Sequence, residues 1–194
     1  MVIMIGFIAS LGTLTLAAYS IGGRILSFII IPALGISIGT SILVGQNIGA
    51  ERWGRAIKVA KISAWSSFLI LTLIGAVLFV LADFVAWLFI PADISAAHES
   101  AMFIKIMAPM FGFVGIQMSL NGLYRGTGNT FLAMLLSLLG VWGLRLPLAY
   151  LLAFVLGWKE FGIWWAFPIA GIINAIISLT IFKFNLWRNT KNSQ

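Results

Sequence analysis

Ile62–Ala82 reads ISAWSSFLILTLIGAVLFVLA, a stretch with no charged side chain and hydroxyls as its only side-chain acceptors. A bilayer core about 30 Å thick needs roughly 20 apolar residues of helix, and this run is long enough. Five other charge-free runs flank it: Val2–Ala18, Ile25–Ala50, Ile106–Tyr124, Gly126–Leu144 and Phe161–Phe182. The first is short for a span, and the rest suffice. The runs are apolar on every side, whereas a barrel strand alternates polarity over about ten residues. In hydrocarbon each backbone N–H and C=O must pair inside the protein, and a helix does this within one segment. The expected fold is an all-α integral membrane bundle of six transmembrane helices.

Composition agrees across the whole chain. Of 194 residues, 61% are hydrophobic and 9% charged, and the mean hydropathy is +1.09. A soluble domain carries roughly 25% charged residues, because water meets its entire surface. The formal net charge of +7 would suggest nucleic acid in a soluble protein. Here Lys and Arg are anchors of spanning helices, so the bilayer is the expected partner and nucleic acid is not. The lack of cysteine excludes disulfides and thiolate metal sites. The N-terminus has no basic segment ahead of its apolar run, which leads straight into another, so it reads as a span and not as a signal peptide.

The charges set an expected topology. Arg52, Arg55, Lys58 and Lys61 follow the second run, Arg125 follows the fourth, and Lys183, Arg188 and Lys191 follow the sixth. The alternate connections hold Arg24, Lys105 and Lys159 beside Asp83, Asp93, Glu99 and Glu160. Cytosolic loops are enriched in Lys and Arg, so the first set is expected in the cytosol, with both termini there and the chain in the cell membrane. Residues 1–185 are expected to form the six-helix lobe, its first helix shortened, and residues 186–194 a polar cytosolic tail. Phe84–Ile90 is too short to span and reads as an interfacial turn of helix stopped by Pro91.

Proline and glycine recur inside the runs at Pro32, Gly35, Gly39, Pro109, Gly112, Gly115, Pro147, Pro168 and Gly171. Proline kinks a helix, and closely spaced small residues let two helices approach. Such positions serve either plain packing or helices that bend between two states. The second run ends Gly45-Gln46-Asn47-Ile48-Gly49-Ala50, where Gly49 is expected to end the helix in the left-handed region. The fourth ends Arg125-Gly126-Thr127-Gly128-Asn129-Thr130, where Gly126 and Gly128 are expected to turn and Thr130 to cap the next helix.

In this order and spacing these segments resemble the multidrug and toxic compound extrusion (MATE) transporters. Ala33–Ala60, with its Gly45-Gln46-x-x-Gly49 loop, looks like that family's second-to-third helix connection. Arg125-Gly126-x-Gly128 is similar to its fourth-to-fifth connection, Phe89–Ala101 to an outer loop and Gly162–Asn174 to its sixth helix. The resemblance implies one lobe of a two-lobe secondary transporter that exports organic, often cationic, compounds against Na⁺ or H⁺. It also implies a second six-helix lobe as partner, either an N-terminal half or another copy of this chain. The polar end at Gln194 suits the C-terminal lobe. No cofactor is expected beyond the coupling ion.

Within the runs, Gln117, Asn121, Arg145 and Asn174 are the candidates for a substrate cavity. Arg145 interrupts an otherwise uncharged stretch and belongs against protein or water, where it pairs with an anionic group, binds backbone carbonyls near Pro147 or snorkels outward. Gln117 and Asn121 are four apart and share a helix face. Met102, Met107, Met110 and Met118 offer an adaptable apolar surface or simply pack. No run has a carboxylate at its middle, so the ion-coupling acid that the resemblance implies is expected in the other lobe, or else this chain does not couple. His98 has no second ligand at metal spacing and no nucleophile has an adjacent base, so neither a metal site nor an enzyme is expected. Two alternatives stand beside export: a flippase for lipid-linked oligosaccharides, and a membrane scaffold or remnant that transports nothing.

Overall fold

In the structure, a computed structural model that describes residues 2–91 and 93–187, every regular element among the described residues is helical. Helix α1 (Val2–Ala9) buries Met4 and Ile8 and ends in a turn at Gly12, whose φ of +129° suits glycine alone. Helix α2 (Thr13–Gly49) then runs through Pro32 without interruption. The run Val2–Ala18 is thus divided between α1 and the start of α2, and Arg24, expected in a loop, lies inside α2. Ser10, Gly12 and Thr13 mark that turn only with small uncharged residues, so no charged gap divides the run in the sequence.

Among the described residues, five segments are long and apolar enough to cross a membrane: Ile29–Gly49 within α2, α3 (Trp53–Val80), Ile94–Gly126, Thr130–Val155 and Lys159–Lys183. The third comprises α5 (Ile94–Met107), a 3₁₀ turn at Ala108–Met110 around Pro109, and α6 (Phe111–Gly126). The fourth comprises α7 (Thr130–Leu138) and α8 (Leu146–Tyr150), each followed by wider π-helical turns, at Leu139–Arg145 and Leu151–Val155. The last is α9. Between α3 and α5 lies the short α4 (Ala82–Phe89), ended at Ile90 just before Pro91. Large apolar side chains such as Ile31, Leu73 and Val80 are exposed, as lipid-facing residues must be. This is an integral, multi-pass membrane bundle.

Helix α6 stands between α2 and α3 because its glycines let both backbones approach. A Cβ at Gly122 would lie 2.3 Å from the Ser37 carbonyl oxygen, and one at Gly126 would lie 2.6 Å from that of Ser41. On the α3 side, a Cβ at Gly115 would lie 2.7 Å from the Ser67 carbonyl oxygen, and one at Gly112 would strike Thr72 and Phe68. These glycines are packing devices. Gly35 and Gly39 on α2 have open space where a side chain would go. Tyr124 Oη ties α6 to α9 by donating to the Ser178 carbonyl at 2.7 Å.

The helix ends correct three expectations. Gly49 is still helical. The left-handed residue is Glu51, φ +59°, with Arg52 N–H bonded to the Asn47 carbonyl and Glu51 N–H to that of Ile48, the paired bonds of a Schellman end. Gly126 is the last residue of α6, and Gly128, φ +80°, makes the turn alone. Asn129 caps α7, accepting from Leu132 N–H, in the role expected of Thr130. Asn129 also donates to the Trp187 carbonyl, and Trp187 is buried against this turn, although the polar tail was expected from 186. Arg188, Lys191 and the remainder of that tail lie outside the described residues.

Arg52, Arg55, Lys58, Lys61, Arg125 and Lys183 all sit at the same end of the bundle, around the α2–α3 turn and the ends of α6 and α9. At the other end Lys105 donates to Asp83 at 2.7 Å. That hydrogen bond holds the Asp83 carboxyl below its ordinary value, with Lys105 and His98 adding attraction and slight desolvation opposing them.

Candidate functional site

The spaces between α2, α6, the α7–α8 segment and α9 join into a cavity of about 680 Å³. That lies within the range of small-molecule sites, roughly 300–1,000 Å³. All four candidates from the sequence, Gln117, Asn121, Arg145 and Asn174, line it, although they come from three different segments. Arg125, expected only in a loop motif, lines it as well. Of the other motif residues, Gly45 packs near the Gly126 carbonyl and Gly49 ends α2, while Gln46 is exposed; none of the three lines the cavity.

Three of the candidates keep unsatisfied polar atoms. Asn174 is 2% exposed; its Nδ2 donates to the Leu136 carbonyl at 3.2 Å, and its Oδ1 has no partner. It is admitted by Gly140, where a Cβ would lie 2.3 Å from that amide nitrogen. Leu136 belongs to the last turns of α7 before the helix widens, where backbone carbonyls commonly need help from side chains. Asn121 is 7% exposed and its Oδ1 is also unpartnered. Gln117 is one turn away on the same face of α6.

Arg145 ends the π-helical stretch and lies about 20 Å along its segment from Thr130. Its guanidinium carbon sits 4.5 Å from the centroid of the Phe167 ring, and Nε is buried with no hydrogen-bond partner. A cation at such depth costs about 3 kcal/mol on insertion scales. Stacking on Phe167 returns about 0.5–2 kcal/mol of that. The remainder must come from water or a bound group, since none of the described residues lining the cavity is acidic. Arg125, at the basic end, is already engaged: its Nη2 donates to Ser37 Oγ at 2.7 Å, and that hydroxyl bonds the Met118 carbonyl. Among the described residues, no hydrogen bond joins Arg145 to the carbonyls near Pro147.

The rest of the wall is apolar and aromatic. Met110 and Met118 line it with Met134, whereas Met107 is buried in the core and Met102 packs against it. Tyr19, Phe111 and Phe167 supply rings, and Ser27 and Ser137 add hydroxyls. Sequence reasoning missed Tyr19, Ser27, Ser137 and Phe167. Serines and aromatic residues are common in spanning helices, and nothing local marks these as facing inward.

Residues 1–151 match the family described as MatE. The chain belongs to the MatE family. Among curated relatives it is 23% identical over 187 residues to the probable multidrug resistance protein YoeA of Bacillus subtilis, covering 95% of this chain and 40% of that protein. It is 30% identical over 176 residues to a probable multidrug resistance protein NorM of Agrobacterium fabrum, covering 88% of this chain and 37% of that one. Among solved structures, the MATE transporter ClbM in complex with Rb⁺ superimposes with a TM-score of 0.88 at 26% identity, over 96% of this chain and 44% of ClbM. The chain therefore spans about two fifths of the length of these relatives. Members of the family are transporters, not enzymes, and this chain corresponds to one lobe of such a protein.

Proposed function

We propose that this chain provides one lobe of a secondary active exporter of small organic compounds, and that its cavity is this lobe's share of the cargo site. The observation that carries the reading is the cavity itself, which combines drug-sized volume, a Met and aromatic wall, and three unpartnered polar atoms, Oδ1 of Asn121 and Asn174 and Nε of Arg145. Unpaired polar groups of this kind cost stability and persist where a ligand or water meets them. Export proceeds by alternating access, with a second six-helix lobe, an N-terminal half or a second copy of this chain, closing the cavity's other side. Na⁺ or H⁺ drives the cycle. None of the described residues lining the cavity is acidic, which supports an ion site in the other lobe. The chain lies in the cell membrane with its basic end in the cytosol, as the excess of Lys and Arg there favours.

The test is efflux of a panel of fluorescent dyes from cells that make this chain alone or with a candidate second lobe. Export only with the partner is expected. Export by the chain alone would assign the second side to another copy. Silence in both cases, with protein verified in the membrane, would overturn the exporter reading and leave a scaffold.

A further inference from the structure

We propose that the cavity selects anionic amphiphiles: small molecules that join an aromatic or branched apolar body to one carboxylate, sulfonate or phosphate group, with the anion held by Arg145. This deepens the exporter reading and rests on it, because it takes the cavity as the cargo site. The resemblance to MATE transporters implies cargo that is often cationic, and the wall of this lobe has the opposite sign.

The charge balance decides the class. Two guanidiniums, of Arg145 and Arg125, line the cavity, and none of the described lining residues is acidic. A cationic cargo would share a space of low polarity with both and meet no countercharge on this lobe's wall. An anion would neutralise Arg145, a charge for which the wall provides no partner of opposite sign. Phe167 holds the group in place: Arg145 Cζ lies 4.5 Å over its ring, and Nε is buried with no partner. A guanidinium carries its N–H groups in one plane, the geometry that binds a carboxylate or sulfonate through two parallel hydrogen bonds.

The remaining groups define the body of the ligand. Asn121 Oδ1 and Asn174 Oδ1 can only accept and are buried at the wall, so a hydroxyl or N–H donor on the cargo reaches them through a small shift of the side chain. Met110, Met118 and Met134 offer flexible apolar contact, and Phe111 and Tyr19 rigid rings, against which bodies of varied outline can pack. Arg125 is held by Ser37 at the basic end, so it contributes positive potential and Arg145 makes the direct contact.

The experiment uses the purified full chain in lipid nanodiscs, with empty nanodiscs correcting for partition into lipid. Equilibrium binding is measured for naphthalene-2-sulfonate and for trimethyl(2-naphthyl)ammonium, which share a body and differ in charge. The sulfonate is expected to bind at least about tenfold more tightly. Arg145→Gln should lose about tenfold or more of that affinity, and Arg145→Lys should keep the preference for the anion at reduced affinity. Equal or tighter binding of the ammonium by the unaltered chain would overturn the proposal without recourse to any variant. So would absence of binding for both probes to chain that melts cooperatively, or sulfonate binding indifferent to Arg145→Gln. Selective sulfonate binding without export in the efflux assay would sink the exporter reading and leave the anion site standing. Cation export without sulfonate binding would do the reverse.

Discussion

Replacing Gly122 by alanine adds one methyl group, and the structure says where it goes. The new Cβ would lie 2.3 Å from the Ser37 carbonyl oxygen and 3.1 Å from Thr40 Cβ. The nearest atom is backbone in the middle of α2, so no rotamer change relieves the clash. Helix α6 has to withdraw by most of an ångström, loosening Gly126 against Ser41 and the Arg125–Ser37 hydrogen bond along the same interface. Overpacking of this kind typically costs about 1–3 kcal/mol, against a gain of about 1 kcal/mol for alanine over glycine in a helix. Loss of the Arg125 bond adds about 1.5–3 kcal/mol if it breaks outright. A net destabilisation of about 2 kcal/mol is expected. Gly39→Ala is the control: it sits in α2 with nothing within 4 Å of its Cβ, so helix propensity alone applies and the change should be neutral or mildly stabilising. Thermal unfolding in detergent, followed by tryptophan fluorescence, measures both. If Gly122→Ala melts with the unaltered chain, or Gly39→Ala is the more damaged of the two, the close approach of α2 and α6 is wrong.

Two further predictions concern charge. Arg145→Leu removes a buried cation whose cost of about 3 kcal/mol exceeds the about 0.5–2 kcal/mol returned by Phe167. It should therefore raise thermal stability, by at most about 2.5 kcal/mol less what water returns, while abolishing export in the two-lobe efflux assay. A fall in melting temperature would mean that Arg145 has a structural partner. Asp83, lowered by its bond to Lys105, contributes stability above its ordinary value of 3.8 and loses it as pH falls through the folded value. Both partners are well exposed, so Asp83→Asn should cost no more than about 0.5 kcal/mol at neutral pH. The difference from the unaltered chain should shrink as pH falls below 3.8 and vanish once the folded carboxyl is protonated, checked by melting across an acid pH series.

The spans were legible because hydrocarbon demands long apolar runs, and the cavity candidates because amides and a guanidinium stand out inside them. Gln117, Asn121, Arg145 and Asn174 are distant in sequence, yet each was marked by the same rule, that such groups turn from lipid toward protein or water. What stayed hidden depends on neighbours. The turn at Gly12 lies within an apolar run, so the first two helices could not be divided correctly. Gly49 and Glu51 compete for one helix end, and the chain places a non-glycine residue at φ +59° where composition favoured glycine. Gly126 reads as a turn residue until the Ser41 carbonyl is seen against it. The stacking of Phe167 on Arg145 joins two segments, and no local pattern announces it.

The central claim, that this lobe holds a water-accessible cargo cavity walled by α6 and α7, has a direct test because the chain contains no cysteine. Gln117→Cys and Ser137→Cys would each place a single thiol on the cavity wall, and Leu73→Cys would place one on the exposed apolar surface of α3. Labelling with a charged maleimide in membranes reads water access, since the reagent attacks the thiolate and that form needs water. Both cavity positions should label, and naphthalene-2-sulfonate should protect them, while Leu73→Cys stays unlabelled. Unreactive thiols at Gln117 and Ser137, or labelling at Leu73 equal to theirs, would contradict the account.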